Sequence, residues 1–232
     1  MSIPLCVAIG CEPDIAAALA AGADGAVLEG GLSLAPACAR AGLPVVAVRL
    51  AGTVPHEAAL PLLPPTSPPT LILLPPPRVR PDDTRSIERV KAFRLATLAA
   101  LRAVGEWADD HGHAVAIASG MDSFFEGALE LAEVIRAARQ PSLRYTLNTF
   151  DAEASLDTIS GATDMTADVL GHVVAEDAHD GQRVAPGRGH GEIDLARLLE
   201  ELKLLSYRGA VEVAGRPEEW AASIEFLRRV QP

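Results

Sequence analysis

Aromatic side chains make up only 4% of the 232 residues, so the core has to be aliphatic, built from Ala, Leu and Val. Cysteine is nearly as scarce. Cys6, Cys11 and Cys38 form no CxxC or Cys/His spacing, which excludes a disulfide scaffold and points to a reducing, cytoplasmic setting. Basic charge is short too: 20 Lys and Arg face 31 Asp and Glu, for a formal net charge of −11. No Lys/Arg-rich run offsets that balance locally, so nucleic acid is not the expected partner. No apolar run approaches the roughly 20 residues of a membrane span. The opening MSIPLCVAIG lacks a positive n-region and is too short for a signal h-region.

What is present is a strand–helix rhythm. Short apolar runs fall at 7–9, 25–29, 45–48, 70–74, 114–117, 145–147, 172–174 and 210–213. Their residues are apolar in succession, as in strands of a parallel sheet with a covered face. Helical stripes lie between them. PDIAAALAAG closes at Gly22, and a long pattern from about Thr84 to Gly112 carries Ile87, Val90, Phe93, Ala96, Ala100, Val104 and Trp107 three or four apart. Ala128–Ala138, Leu195–Leu202 and Trp220–Leu227 repeat that spacing. Nine of the 18 prolines fall between 61 and 81, which forbids a helix there and predicts a third crossover with its helix shortened or missing.

Eight strands with helical connections predict a single (β/α)₈ TIM barrel over residues 1–232, compact against the usual size of about 250. An open doubly wound sheet is the alternative. It calls for a Gly-rich turn after the first strand, where AIGCEPD has one glycine, so no nucleotide cofactor is expected. The active site of a barrel lies at the C-terminal ends of its strands. Those ends read IASGMD, LNTFD, HVVAEDAHDG and VEVAG for strands five to eight, and Glu29 closes strand two.

The segment 171–215 resembles the end of the xylose isomerase-like sugar isomerase/epimerase superfamily, which also includes a type of apurinic endonuclease. The features that carry the resemblance are the Pro-Gly-x-Gly turn at Pro186–Gly189, the helix start Ile193–Asp194, and Tyr207-x-Gly209 before the last strand. AGADGAVLEGG is similar to the family's second strand. The resemblance implies a barrel with inward divalent-metal ligands on strands five to eight. Those positions fall on Ser119, Asn148, Val174 and Ala214, with Asp151 where a paired His is usual. A shift of two residues on strands seven and eight puts His172 and Glu212 there instead. Without it none of the core ligands is kept, so the expected cofactor is none or a weakly bound divalent metal.

Several residues then have two readings. Asn148 and Asp151 fit substrate hydrogen bonding with Asp151 as general base, or a capped strand end. Glu212, mid-strand in AVEV, and His172 on the neighbouring strand fit an acid/base couple or a structural pair. Glu176 fits the pocket mouth or a solvated loop. Glu29, Ser119 and Arg183 are candidate substrate contacts, Arg183 because a guanidinium binds phosphate or carboxylate bidentately. His179 and Asp180 read as loop. The resemblance implies an isomerase or epimerase acting on a small polyhydroxylated substrate by carboxylate/His proton transfer. The alternative is an inactive barrel that binds a ligand or partner, and a homodimer is compatible with either.

Overall fold

The computed structural model describes residues 2–29, 32–50, 70–73, 87–118, 127–155, 158–188 and 191–232. Among the described residues the strands are β1 (Leu5–Ile9), β2 (Gly25–Glu29), β3 (Val45–Leu50), β4 (Thr70–Leu73), β5 (Val115–Ala118), β6 (Leu143–Asn148), β7 (Leu170–Ala175), β8 (Asp177–His179), β9 (Gln182–Val184) and β10 (Val211–Val213). The helices are α1 (Glu12–Ala20), α2 (Ala35–Ala41), α3 (Ile87–His111), α4 (Ala128–Ala138), α5 (Thr149–Ala154), α6 (Ile159–Thr166), α7 (Leu195–Leu204) and α8 (Trp220–Val230). Eight strands close a parallel ring in the order β1-β10-β7-β6-β5-β4-β3-β2, while β8 and β9 form a separate antiparallel hairpin. The expected (β/α)₈ barrel is therefore the fold. The expected loss of the helix after strand three lies outside the described residues. Among the described residues no helix is long and apolar enough to cross a membrane.

The core has two layers because side chains alternate across each strand. Leu5, Val7, Leu28, Ile117, Leu147, Val173 and Val211 point outward into one large apolar cluster with the helices. Cys6, Val27, Ala47 and Ile72 form a smaller cluster inside the ring. The helices are cut for this packing. Asp194 caps α7, accepting from the Arg197 N–H at 2.9 Å, and the helix buries Leu195, Leu198, Leu199 and Leu202 on one stripe. Trp220 begins α8 and is fully buried, as its helical spacing predicts.

Two register shifts decide which residues face the lumen. Between β2 and β3, Ala26 pairs with Val45 but Val27 pairs with Ala47, so Val46 is an extra residue. That insertion brings Arg49 into phase with Glu29. Between β6 and β7, Tyr145 pairs with Leu170 but Thr146 pairs with His172, leaving Gly171 as the extra residue. A Cβ at Gly171 would stand 2.3 Å from Cβ of Arg144, so the shift requires glycine. It aligns His172 with Thr146 and Val174 with Asn148.

Candidate active site at the C-terminal mouth

The end of β6 turns directly into α5, and Asn148 makes the turn. Its side-chain oxygen caps the helix by accepting from the Asp151 N–H at 3.1 Å, while its amide nitrogen donates to Glu176 Oε2 at 2.8 Å. Thr149 ties the two strand ends together: its hydroxyl donates to the Glu176 carbonyl at 2.6 Å and accepts from the Glu176 N–H at 2.9 Å. Arg183 closes the group from β9. Its guanidinium lies 2.5 Å from Asp151 Oδ1, binds Glu176 Oε2, and stacks 4.4 Å above the Phe150 ring. Asn148, Asp151, Glu176 and Arg183 thus form one cluster. Both bonds to Glu176 fall on Oε2, so Oε1 has no hydrogen bond among the described residues.

Arg183 was not expected on a strand. The segment DAHDGQRV is a two-residue hairpin in which Asp180 (φ 50°) and Gly181 (φ 69°) both take the left-handed conformation. The Asp-Gly pair flanked by alternating residues is the local signal for it. Beneath this hairpin, between the ends of β7 and β10, lies a cavity of about 320 Å³ lined by Glu176, Arg183, Arg188, Ala214, Arg216 and Glu219. Glu219 is buried and holds Arg188 at 2.7 Å and the Arg216 N–H at 2.8 Å.

A second group fills the lumen below. Glu212 on β10 is only 3% exposed and accepts from His172 Nε2 at 2.9 Å. Both of its carboxylate oxygens also lie 2.7 Å from one terminal nitrogen of Arg49, and the other terminal nitrogen of Arg49 binds Glu29 Oε1. β3 and β10 are not neighbours in the ring, so these contacts cross the lumen. Burial works to raise the Glu212 pKa, but the His172 hydrogen bond and the Arg49 charge outweigh it and hold the carboxyl below its ordinary range. Burial works to lower the Arg49 pKa, and the Glu212 and Glu29 carboxylates hold it above its ordinary value. Cys6, level with Glu212 across the β1–β10 pair, has its thiol pKa pushed up by burial and by that carboxylate. His172 also lines a cavity of about 400 Å³ with Pro4, Pro44, Thr70 and Gly171, which are at the opposite mouth.

The positions where the resemblance implies metal ligands do not form a donor set. Val174 and Ala214 have no coordinating side-chain atom, and the Asn148 amide is committed at both ends. Ser119 lies outside the described residues. The shifted pair, His172 and Glu212, is already bonded to itself and to Arg49. A divalent ion does not fit this arrangement. Among the described residues the one group of three with metal-ligand spacing is His179, Asp180 and Glu192, exposed at the tip of the β8–β9 hairpin and apart from the family positions.

Arg49 is the residue that sequence reasoning missed. The third strand candidate ended at Val48, one residue short of the arginine. A cation following VVAV, on the same alternation as Ala47, was the available signal. Two glycines of the family-like motifs, Gly187 and Gly209, are sites of close packing. A Cβ at Gly209 would meet the Tyr207 hydroxyl at 2.2 Å, and a Cβ at Gly187 would meet the Phe226 ring at 2.5 Å.

No protein-family model and no curated protein sequence matches the chain. Solved structures do. A 3-keto-D-glucoside 4-epimerase from E. coli superposes with a TM-score of 0.78 at 16% identity, covering 98% of this chain and 100% of that one. D-psicose 3-epimerase from Clostridium cellulolyticum H10, solved with D-tagatose, gives 0.75 at 16% identity over 99% of both chains. A xylose isomerase-like TIM barrel/4-hydroxyphenylpyruvate dioxygenase fusion protein gives 0.73 at 17% identity; the chain is 99% covered but spans 43% of that protein. Likeness at this level of identity shows the fold alone, and the chain has a TIM-barrel fold similar to that of these proteins.

Proposed function

We propose that the C-terminal mouth is the active site of an isomerase- or epimerase-like enzyme acting on a small polyhydroxylated substrate that carries or forms a ketone. The observation that carries this reading is Glu176: it lines the cavity, is fixed by Asn148 and Arg183 through Oε2, and keeps Oε1 free of hydrogen bonds among the described residues. A carboxylate held on one oxygen and open on the other is suited to take a proton from the carbon next to a carbonyl and return it. Asp151 shares Arg183 and so orients the guanidinium. Asn148 fixes the entry to α5 and the position of Glu176. Glu212 and His172 lie deeper in the lumen and act through Arg49, and no step is routed through a metal. Two of the structurally similar proteins are sugar epimerases by name, which supports the substrate class.

Binding without turnover is the second reading. It is favoured by the saturation of Asp151, Arg183, Glu212 and His172 by one another. A panel of ketoses and keto-sugars incubated with purified protein, with products separated by chromatography, distinguishes the two. Interconversion abolished by Glu176→Gln supports the enzyme. Ligand binding without conversion of any compound supports the other reading.

A further inference from the structure

Glu212 is a buried carboxylate in the lumen, bonded there by His172, and such a charge needs a cation. The chain supplies it from the far side of the ring. Arg49 reaches from β3 to both oxygens of Glu212 and also holds Glu29, at the end of β2. The two anchors differ in exposure. The Glu212 side chain is 4% exposed, Glu29 43% and Arg49 22%, so the guanidinium is held by a buried anion on one side and by an exposed anion at the end of β2 on the other. The Arg49 Nε makes no hydrogen bond among the described residues.

The register then relates Arg49 to Glu176. Val174 pairs with Glu212, and Glu176 is the next residue on the same alternation. The Glu176 backbone therefore stands roughly 7 Å of strand rise above the level of Glu212, the residue that Arg49 grips.

We propose that Arg49 is the resident cation of the mouth, and that its guanidinium receives the oxyanion of an enolising substrate when the exposed Glu29 yields its place. This rests on reading the mouth as a site for ketonic polyols. The C–H bond next to the carbonyl breaks, and its proton passes to Glu176 Oε1. The electron pair forms the carbon–carbon double bond of the enolate, and the carbonyl π pair moves to oxygen, where Arg49 holds the charge. Return of the proton to the carbon regenerates the ketone. No oxidant, reductant or added ion enters the balance. The donor set described above, in which Asn148, Val174, Ala214 and Glu212 offer no vacant metal seat, agrees with this assignment.

The test uses full-length protein dialysed against chelator. Metal content is measured after adding back Mn²⁺, Zn²⁺ and Co²⁺ singly, and binding of a short sugar-acid hydroxamate, a planar mimic of an enediolate, is followed by calorimetry. The wild type is expected to hold no stoichiometric ion and to bind the hydroxamate. Arg49→Lys, which keeps the charge but loses the planar fork, is expected to weaken that binding by about tenfold or more. Glu29→Gln is expected to tighten it, since it removes the competing anion. A stoichiometric ion that Glu212→Gln abolishes would overturn the proposal, as would absent hydroxamate binding or equal affinity in Arg49→Lys. Turnover that requires an added metal would sink this inference while leaving the isomerase reading standing. Hydroxamate binding through Arg49 without turnover of any sugar would do the reverse.

Discussion

Arg49 spans the barrel lumen from β3 and places one terminal nitrogen 2.7 Å from each carboxylate oxygen of Glu212 on β10. The contact joins two strands that do not pair with each other, so it braces the ring as well as neutralising its interior charge. Removing one partner of a buried ion pair strands the other. Arg49→Met is expected to cost about 3–5 kcal/mol in urea unfolding. Arg49→Met combined with Glu212→Leu is expected to recover most of that loss. Equal and additive losses would show that the two residues are not coupled.

The same pair sets a pH dependence. The Glu212 carboxyl lies below its ordinary value of 4.5 because His172 and Arg49 outweigh the effect of burial. A carboxyl lowered on folding contributes stability that is fully present above its unfolded pKa and is lost as pH falls through its folded one. The wild type is therefore expected to lose stability progressively below about pH 4.5. In Glu212→Gln that acid limb is expected to be shallower, as read from urea midpoints across the pH series. An unchanged slope would remove Glu212 from the acid response.

The extra residue in β7 makes a sharper structural claim. Gly171 lets β7 pass against Arg144 and sets His172, Val174 and Glu176 facing the lumen. Gly171→Ala is expected to cost about 1–3 kcal/mol through overpacking and to loosen hydrogen exchange in β6 and β7. A neutral substitution would mean that the strand has room that the Cβ position does not reveal.

Arg183 should separate function from stability. Its side chain is 45% exposed while joining Asp151 and Glu176. Arg183→Ala is expected to change stability by no more than about 1 kcal/mol. Ligand binding at the mouth, followed by calorimetry, is expected to fall because Glu176 loses its orientation. Intact binding would assign Arg183 to the hairpin alone.

The barrel was legible because parallel strands buried on both faces are written as short apolar runs, and such runs recur eight times here. The His172–Glu212 neighbourhood was legible for a related reason: a carboxylate in AVEV has to find a partner, and strand seven offered one. Arg49 was not, because an arginine after VVAV ends a strand as naturally as it enters a lumen. Only the extra residue at Val46, visible in the register and not in the pattern, puts it in phase with Glu29. The β8–β9 hairpin was hidden by its polarity, since β9 is largely exposed and β8 buries an aspartate, which leaves the Asp180–Gly181 turn as the one local mark.

The most direct test of the central claim is proton exchange at carbon. Chelator-treated wild-type protein is incubated in D₂O with ketoses and keto-sugars, and loss of the proton next to the carbonyl is followed by NMR. The account predicts exchange in at least one compound without added metal, abolished in Glu176→Gln and strongly reduced in Arg49→Lys. Folded protein that binds these compounds yet exchanges no proton in any of them would contradict it and leave a barrel that binds without turnover.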